Sequence, residues 1–220
     1  MQLPFVDGID LSVITDRTAA LAAFRAGQLH RYTAATGEEA RAIGGNSIVE
    51  REPNFSFIAV TMNPDLPPFN DPRARRAMSR AIDRQQYVDS VYSGDAQANG
   101  LVPWTMGKYA LDADELRTKY QPYDVQDAKA LISAIGGLKF NVIYPAETPL
   151  EEHNLHLPIF FKQMQDAGIE LEQDPQVLTS WIDNYRKFNY RGSFSLNQIY
   201  ETPEIPLDFH SRRGPAITFK

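Results

Sequence analysis

The chain has 220 residues, with 22 Lys plus Arg against 28 Asp plus Glu, so its formal net charge at pH 7 is −6. Its hydrophobic content of 43% is that of an ordinary globular protein and excludes a chain that is disordered throughout. The acidic balance argues against a general nucleic-acid binder, which needs a basic face. Cysteine is absent, which excludes disulfides, thiolate nucleophiles and Cys-ligated metal sites.

The two ends of the sequence lack the features of natural termini. The first residues, MQLPFVDGID, have neither a basic n-region nor an apolar h-region, so they do not form a signal peptide. The last residues, PAITFK, stop without a polar tail. No apolar run reaches the roughly 18 residues needed to cross a bilayer. The chain is therefore either cytosolic or a mature form or fragment, and we interpret both ends as cuts.

The beginning of the chain predicts a strand followed by a helix. Ile9, Leu11 and Val13 alternate with polar residues, as the residues of a half-buried strand do. Asp16 is a suitable N-cap for the helix that starts after it, and Gly27 is a suitable end.

An extended segment over 47–62 leads into the strongest helix signal of the sequence. Its run FSFIAVTM is rich in the β-branched and aromatic residues that favour strands. Asp71 is a good N-cap and Pro72 a good first helical residue. Apolar residues then recur at helical spacing as far as Tyr92, so the pattern predicts one helix, about 30 Å long, that ends at Gly94.

Residues 94–123 contain Gly, Pro and aromatic residues without a period, which predicts a long loop. Loops of this length in a compact domain are usually functional or disordered. Trp104, Met106 and Tyr109 argue against disorder, because disordered segments are poor in large apolar side chains.

The second half of the chain alternates helices and strands. The predicted elements are a helix from Asp124 to Gly136, a strand over 139–144, a helix over 151–167, a strand over 169–173, a helix over 179–188 and a strand over 194–200. The expected apolar stripe of the 151–167 helix comprises Leu155, Ile159, Phe160 and Met164. Strand, helix and strand over 139–173 form a βαβ unit, whose two strands are parallel.

Motifs for catalysis are scarce in this sequence. It contains no GxSxG, GxxxxGK[ST], HExxH or GxGxxG pattern. His153 and His156 would lie on one side of a helix and could form a metal pair. No third ligand is evident, so a solvated helix start is the favoured interpretation of these two residues.

Glu201 and Glu204 follow the last predicted strand, in the segment YETPEIP. As a carboxylate pair they could be the general acid and base of an α/β hydrolase-like enzyme. The simpler interpretation is surface charge in a Pro-containing loop. Because loops at strand ends carry the sites of α/β folds, the pair is a candidate in either case.

Aromatic residues are the best candidates for the walls of a cleft, although core packing explains each of them at least as well. These candidates are Trp104, Tyr109, Trp181, Tyr185 and Tyr200. The arginines between 73 and 84 share their predicted helix with Asp71, Asp83 and Asp89, which favours a solvated helix face with ion pairs over a nucleic-acid surface.

The segment PPFNDPRARRAMSRAIDR resembles the signature of the family 5 extracellular solute-binding proteins, the peptide, nickel and oligosaccharide receptors of ABC importers. The family pattern is an Asn followed by P-P-F-x-D-x-R-x-R-x-A-[LM]-x-x-A-[IM]-D-R. The matching residues here are Asn63, Pro67, Pro68, Phe69, Asp71, Arg73, Arg76, Ala77, Met78, Ala81, Ile82, Asp83 and Arg84. Agreement of this density over about 20 residues is more specific than any short motif. Supporting similarity covers nearly the whole chain.

The resemblance implies an α/β fold of the type II periplasmic-binding-protein class, in which a ligand is held between two lobes joined by hinge strands. The intact family chain is more than twice as long as this one, so mostly one lobe is expected here. Residues 1–62 would be a strand–helix–strand segment returning from the first lobe, 63–202 the second lobe, and 203–220 the truncated start of a return to the first lobe.

The resemblance also implies a function: an extracytoplasmic receptor, periplasmic or membrane-tethered, that delivers a peptide-like or other small polar ligand to an ABC transporter without chemistry. The implied partners are the ligand, the permease subunits and the remainder of the first lobe. Nucleic acid, cofactors, metal ions and catalytic residues are not expected. The expected ligand contacts are Trp104, Tyr109, Glu147, Tyr200, Glu201 and Glu204.

Two differences from peptide-binding relatives concern the ligand. Those relatives hold the peptide's amino group with an Asp after the last strand of this lobe, where Glu201 keeps the acid without the full motif. Some relatives place an Arg for a carboxylate after the strand that corresponds to FNVIY, where this chain has Glu147 and no Arg. Our hypothesis is therefore a cationic, amide-rich or sugar ligand in place of a standard dipeptide.

Overall fold

The computed structural model describes residues 7–34, 37–45, 47–50, 58–147 and 151–195, with the backbone alone given at 151–153 and 195. The chain divides into two compact units, Met1–Val49 and Glu50–Lys220. Among the described residues, no helix is both long and apolar enough to span a bilayer.

The first unit contains two short helices, α1 (Arg17–Arg25) and α2 (Gly37–Ile43). Asp16 caps α1 by accepting a hydrogen bond at 2.7 Å from the backbone N–H three residues on, as the sequence predicts. The Arg17 guanidinium forms an ion pair with Glu39 of α2 at 2.5 Å. Helix α2 escapes prediction because seven residues are too few for an apolar stripe to emerge.

The predicted strand through Ile9, Leu11 and Val13 is wrong. These three side chains are 77%, 89% and 92% exposed, and residues 7–16 form no strand. A strand needs a neighbour that pairs its backbone groups and a surface that covers its apolar side chains. The described part of the first unit has no strand to pair with, and alternation in the sequence carries no information about such a partner.

The second unit combines helices with one sheet, which confirms the predicted α/β class. Its strands in the described region are β1 (Ala59–Met62), β2 (Lys139–Pro145), β3 (Glu170–Gln176) and β4 (Gly192–Ser195). Its α-helices there are α3 (Pro72–Ala81), α4 (Arg84–Tyr92), α5 (Ala113–Glu115), α6 (Val125–Ala134), α7 (Glu151–Ala167) and α8 (Leu178–Arg186). A 3-10 helix at Trp104–Tyr109 and a π-helical turn at Leu116–Tyr120 interrupt the long predicted loop.

The strands form a sheet in the order β1-β4-β2-β3. Strand β2 is parallel to both β3 and β4, whereas β1 is antiparallel to β4. Helix α7 connects β2 to β3, so the predicted βαβ unit is confirmed. Strand β1 pairs within this sheet and belongs with the second unit, although the predicted division of the chain falls after residue 62. The assignment of 1–62, 63–202 and 203–220 to the lobes of a larger receptor stays a prediction.

The single long helix predicted after Asp71 is wrong, because the structure divides it into α3 and α4. Asp71 caps α3 as predicted, by accepting a hydrogen bond at 2.8 Å from the backbone N–H two residues on. Ile82 (φ −94°, ψ 111°) leaves the helical conformation, and the Asp83 carboxylate then accepts hydrogen bonds from the backbone N–H groups of Gln85 and Gln86. An Asp within an apolar period is here the N-cap of a second helix.

Helices α3, α6 and α7 pack on one side of the sheet, which we call the first face. Its buried residues are Phe69, Ala74, Ala77, Met78, Ala81, Ala128, Ile132, Leu138, Phe140, Val142, Leu157, Phe160, Met164, Ala167, Ile169 and Phe194. The rings of Phe69 and Phe140 meet edge to face with centroids 4.6 Å apart, a favourable arrangement for aromatic pairs.

Helix α8 packs on the other side, the second face. Its buried residues are Ile143, Trp181, Tyr185 and Tyr190. Side chains alternate along β2, so Phe140 and Val142 belong to the first face and Ile143 to the second. The aromatic rings of the second face form a stack, with centroids 5.2 Å apart from Trp181 to Tyr185 and 5.7 Å from Tyr185 to Tyr190.

The buried side of α7 differs from the predicted stripe. Phe160 and Met164 are buried as expected, but Leu155 is 41% exposed and Leu157 is buried in its place. Leu157 extends the helical period of Phe160, Met164 and Ala167 towards the amino end, whereas Leu155 is out of phase with it.

Candidate functional site

The carboxyl ends of β2, β3 and β4 lie at one edge of the sheet, because these strands are parallel. Pro145 at the end of β2 pairs with Gln176 at the end of β3, and Ser195 ends β4. In open α/β sheets, ligands bind in the crevice outside the carboxyl ends of the strands. This edge, which we call the carboxyl edge, is therefore the place where the fold itself indicates a site.

Glu147 lies at the carboxyl edge, two residues beyond β2. The Ala146 backbone N–H donates to the Gln176 carbonyl at 2.7 Å, so the ladder between β2 and β3 extends almost to Glu147. The Glu147 side chain is exposed. The backbone next to Glu147 is thus fixed by hydrogen bonds, while its carboxylate stays hydrated. Such a carboxylate can bind a cationic group, because the protein does not have to desolvate its charge before the ligand arrives.

A row of hydrogen-bonded amides that begins at the same edge, with Gln176 at the end of β3, escapes prediction from the sequence. Asn184 Nδ2 of α8 donates to Gln176 Oε1 at 3.0 Å, and Gln176 Nε2 donates to the Asp174 carboxylate at 3.0 Å. Asn189 Nδ2 donates to Asn184 Oδ1 at 2.9 Å. One residue separates β3 from α8, which forces groups of the sheet and the helix together. Amides on both sides of a very short strand-to-helix connection are the signal that could have located this row.

Trp104 and Tyr109 lie together on the 3-10 helix, as parts of the long segment that the sequence predicts to be functional. The Trp104 backbone N–H donates to Asn99 Oδ1 at 3.0 Å, which fixes the start of that helix. The two side chains are 40% and 58% exposed. Lys108 Nζ lies 5.1 Å from the centre of the Tyr109 ring, within the range of a cation–π contact. Both side chains are therefore partly accessible to solvent, and Lys108 covers part of the Tyr109 ring.

The other expected contacts lie on different elements from this pair or outside the described residues. Glu147 is carried by the sheet, whereas Trp104 and Tyr109 are carried by the connection between α4 and α6. Tyr200, Glu201 and Glu204 lie outside the described residues, and so does the carboxylate pair on which the hydrolase alternative depends.

His156 is buried, at 5% exposure, so the expectation of a solvated helix start is wrong for this residue. Its ring stacks on Tyr87 of α4 with centroids 5.3 Å apart and lies 5.4 Å from the Tyr92 ring. The side chain of His153 lies outside the description. Within the described residues, no group of three or more potential ligand side chains is arranged to hold a metal ion.

Asn63, the first residue of the sequence signature, holds the turn that precedes β4. Its backbone N–H donates to the Arg191 carbonyl at 2.9 Å, and its Nδ2 donates to the Phe188 carbonyl at 3.0 Å. Its Oδ1 accepts a hydrogen bond from the Asp65 N–H at 3.0 Å, and Arg191 Nε donates to the Pro67 carbonyl at 3.1 Å. The signature thus builds the second unit and positions β4, while the candidate contacts lie elsewhere.

Three pKa shifts follow from local contacts. A hydrogen bond from Arg73 lowers the pKa of Asp71, which keeps this N-cap ionised. Burial lowers the pKa of Arg84, whose guanidinium donates to the Ser79 and Ile82 carbonyls at 3.2 and 3.1 Å. At the sheet, burial raises the pKa of Tyr144.

The comparisons with known proteins agree on one family. The family described as bacterial extracellular solute-binding proteins, family 5 Middle, matches residues 2–204 of this chain. A probable di/tripeptide-binding protein 5 of Pseudomonas aeruginosa is 29% identical over 133 residues, which are 59% of this chain and 24% of that protein. The chain spans about a quarter of the length of the curated relatives it matches.

Solved structures with the same fold include two transport proteins. The ABC transporter substrate-binding protein CtaP of Listeria monocytogenes matches with a TM-score of 0.75 at 19% identity, over 93% of this chain and 42% of that one. The periplasmic binding protein DppA of Helicobacter pylori, solved in complex with the peptide STSA, gives a TM-score of 0.71 at 18% identity, over 86% of this chain and 36% of that one. These similarities confirm the predicted type II periplasmic-binding fold, of which this chain matches one lobe.

Proposed function

This chain belongs to the bacterial extracellular solute-binding proteins of family 5, and on that premise we propose that the full-length protein is an extracytoplasmic receptor. It holds a peptide-like or other small polar ligand between two lobes and delivers it to the permease subunits of an ABC importer. The observation that carries this proposal is the family match over residues 2–204, which includes both the signature and the strands of the carboxyl edge.

The proposed ligand contacts are of two chemical kinds. They are the aromatic residues Trp104, Tyr109 and Tyr200 and the acidic residues Glu147, Glu201 and Glu204. Closure of two lobes removes a ligand from water, so a few polar groups and aromatic walls suffice for affinity. The exposed rings of Trp104 and Tyr109 and the exposed carboxylate of Glu147 support this assignment. The acidic groups favour a ligand that carries a positive charge, such as the amino group of a peptide.

The receptor releases its ligand chemically unchanged. The relative from Pseudomonas aeruginosa is named as a binding protein, and the sequence lacks the common catalytic motifs. Neither a cofactor nor a metal ion is part of the proposal. In this proposal residues 63–202 form the second lobe together with β1, which pairs with β4 in the same sheet. The rest of 1–62 and residues 203–220 belong to the first lobe, and the remainder of the first lobe supplies the opposite wall of the cleft.

Isothermal titration calorimetry of the full-length protein tests the receptor function. The ligands are trialanine, the cationic peptide Lys-Ala-Ala and the sugar maltotriose. We expect micromolar or tighter binding of at least one, with the cationic peptide bound more tightly than trialanine. Mass spectrometry of the mixture after an overnight incubation should recover the ligand intact. Cleavage of the bound compound contradicts the proposal. The absence of binding to any of the three ligands contradicts it as well.

Glu201→Gln tests the assignment of the acidic contacts. We expect at least a tenfold loss of affinity for Lys-Ala-Ala, because the amide cannot form an ion pair with the peptide's amino group. The matched control is Glu170→Gln on β3, at an ion-paired residue whose side chain is 76% exposed, and it should leave the affinity within twofold. Equal effects of the two substitutions would place Glu201 outside the site.

A further inference from the structure

One peptide bond in the long connection between α4 and α6 joins an asparagine to a glycine. Asn99 and Gly100 are both half-buried, and residues 95–100 belong to no helix or strand. The sequence contains no other Asn-Gly pair. In such a pair the backbone nitrogen of the glycine can attack the asparagine side chain, because glycine has no Cβ atom to obstruct the approach. The pair is therefore a candidate site of chemical modification.

The fold does not hold the nitrogen that would attack. No acceptor among the described residues receives the Gly100 N–H. A backbone N–H within a helix or a ladder would be held by its acceptor. Asn70 shows the contrast, because the N–H of the next residue, Asp71, donates to the Pro68 carbonyl at 3.2 Å. Since Asn70 is exposed, accessibility to water does not explain the difference between the two asparagines.

The fold also polarises the group that would be attacked. Asn99 Oδ1 accepts a hydrogen bond at 3.0 Å from the Trp104 backbone N–H, at the start of the 3-10 helix. When a nitrogen adds to Asn99 Cγ, negative charge develops on Oδ1, and a hydrogen-bond donor at this position stabilises that charge. The structure thus leaves the nucleophile free and provides a donor for the electrophile.

We propose that Asn99 deamidates spontaneously in the folded protein, with assistance from the Trp104 N–H. The Gly100 nitrogen forms a bond to Asn99 Cγ, and Nδ2 leaves as ammonia with the proton of the Gly100 N–H, so a five-membered succinimide ring remains. Water then adds to one of the two ring carbonyls and breaks its bond to nitrogen. The product is aspartate or isoaspartate, according to the carbonyl attacked, and either one carries an additional negative charge.

The isoaspartate product alters the support of the 3-10 helix. Its backbone runs through the former side chain, so its free carboxylate is attached to Cα and does not replace Oδ1. The Trp104 N–H then loses its acceptor at the start of a turn that is closed by the Met106 N–H and the Pro103 carbonyl, 3.0 Å apart. Aspartate keeps an oxygen in the place of Oδ1. Isoaspartate therefore loosens the segment that carries Trp104, and this inference does not depend on the proposed function.

Peptide mapping by tandem mass spectrometry tests the modification in the full-length protein. The protein is incubated at pH 7.4 and 37 °C for four weeks and digested with trypsin at intervals, which places Asn99 in the peptide 85–108. Labelling by protein isoaspartate methyltransferase identifies isoaspartate. We expect conversion of Asn99 at least tenfold faster than that of Asn70, with isoaspartate among the products. Conversion no faster than that of Asn70 overturns the proposal.

Gly100→Ala tests the role of the glycine nitrogen. The new Cβ would lie 3.4 Å from Leu116 Cδ1 and 3.7 Å from Leu111 Cδ1, which are ordinary contact distances, so the fold accommodates it. We expect conversion at least fivefold slower, and an unchanged rate overturns the proposed attack. The unaltered protein in guanidinium chloride provides the unfolded reference. A folded rate more than threefold below this reference would show that the fold protects Asn99, which also overturns the proposal.

Trp104→Pro and Trp104→Ala are a matched pair that tests the donor. Both substitutions remove the indole, but only proline lacks the backbone N–H. Pro103 has φ −58° and ψ 143°, a conformation that a following proline favours, so the turn is compatible with Trp104→Pro. We expect deamidation at least threefold slower in the proline variant than in the alanine variant. Equal rates contradict assistance by the Trp104 N–H.

Hydrogen–deuterium exchange tests the consequence for the 3-10 helix. In the isoaspartate form, isolated by ion-exchange chromatography, we expect exchange over 104–110 to be at least fivefold faster than in fresh protein. Exchange over 139–145 of β2 should stay within twofold. Freshly prepared Asn99→Asp is the control, because it adds the charge and keeps the original backbone, and it should exchange like fresh protein. Unchanged exchange over 104–110 in the isoaspartate form overturns the inferred loosening.

Discussion

The two faces of the sheet are built from different kinds of side chain. The hydrophobic cluster of the first face consists of aliphatic, methionine and phenylalanine side chains contributed by α3, α6, α7 and the strands. The buried polar residues of α7, His156 and Gln163, contact α4 and its N-cap. The second face buries one isoleucine with Trp181, Tyr185 and Tyr190, each of which has a polar group at its end. The first face therefore supplies stability through apolar volume. The second face fixes the orientation of α8 relative to β4, because the hydrogen bond from Trp181 Nε1 to Ser193 Oγ forms only when the two elements are correctly placed.

Phe160→Ala should have the largest effect on stability, because it empties the middle of the first face. Phe160 is fully buried and its ring lies against Phe161 and Phe194. We expect the free energy of unfolding to fall by about 3–5 kcal/mol, the usual range for a buried Phe replaced by Ala. Urea unfolding followed by circular dichroism measures this change. Leu155→Ala on the same helix is the control, and a loss as large as that of Phe160→Ala would contradict the assigned phase of α7.

Gly192→Ala should destabilise the second unit by overpacking the first face. The new Cβ would lie 2.6 Å from Phe140 Cε2, and the Phe140 ring is held by Phe69. We expect a loss of about 1–3 kcal/mol in unfolding free energy, as for other insertions into close-packed cores. Combining it with Phe140→Leu should recover part of the loss, since the smaller side chain makes room. Gly8→Ala, where a Cβ meets nothing within 4 Å, serves as the control.

Asn63→Ala should weaken the link between β1 and the turn before β4. The substitution removes the side-chain hydrogen bonds to the Phe188 carbonyl and the Asp65 N–H, both of which are partly buried. We expect a loss of about 1–2 kcal/mol in unfolding free energy, because each hydrogen bond contributes about 0.5–1.5 kcal/mol. Asn70→Ala, at an exposed asparagine just before α3, should change the same urea midpoint very little. Equal midpoints for the two variants would show that the contacts of Asn63 contribute nothing.

Stability at alkaline pH should depend on Tyr190 of the second face. Burial, with a smaller effect of Tyr185, raises the pKa of Tyr190 above its ordinary value of 10.0. The folded state therefore keeps this proton at a pH where the unfolded chain has lost it. The contribution of Tyr190 is complete below pH 10 and falls as the pH rises further, by up to about 1.4 kcal/mol per pH unit. Urea unfolding between pH 9 and 11 should show a shallower decline for Tyr190→Phe.

The control for this measurement is Tyr123→Phe, because Tyr123 is half exposed. It should keep the slope of the unaltered protein. Identical slopes for all three proteins would mean that Tyr190 loses its proton equally readily in the folded and the unfolded state.

Local signals in the sequence predicted much of the fold. Asp16, Asp71 and Asp124 each cap a helix where the sequence places one, because an N-cap depends only on backbone groups two or three residues away. The strand that contains Phe140 is confirmed for a similar reason: its composition favours a strand on its own. The break at Asp83 could not be predicted, since the same residue type is compatible with a solvated position within one continuous helix.

Features that depend on distant partners were harder to predict. The alternation of Ile9 and its neighbours predicts a strand but does not specify a second strand to pair with it. His156 has the sequence context of a surface residue, and only the approach of Tyr87 and Tyr92 from α4 buries it. Trp104 and Tyr109 are exposed, but their contact with a ligand stays a prediction. The amides of Gln176 and Asn184 meet only because β3 and α8 are one residue apart.

The order of the strands has a consequence for biosynthesis. Strand β4 lies between β1 and β2, although it is the last of the described strands to leave the ribosome. While the chain is being translated, β2, α7 and β3 can assemble as one local unit. Strand β1 must wait without a neighbour in this sheet until synthesis has passed residue 195. A chaperone that shields residues 59–62 during this interval would protect the nascent chain from pairing with another copy.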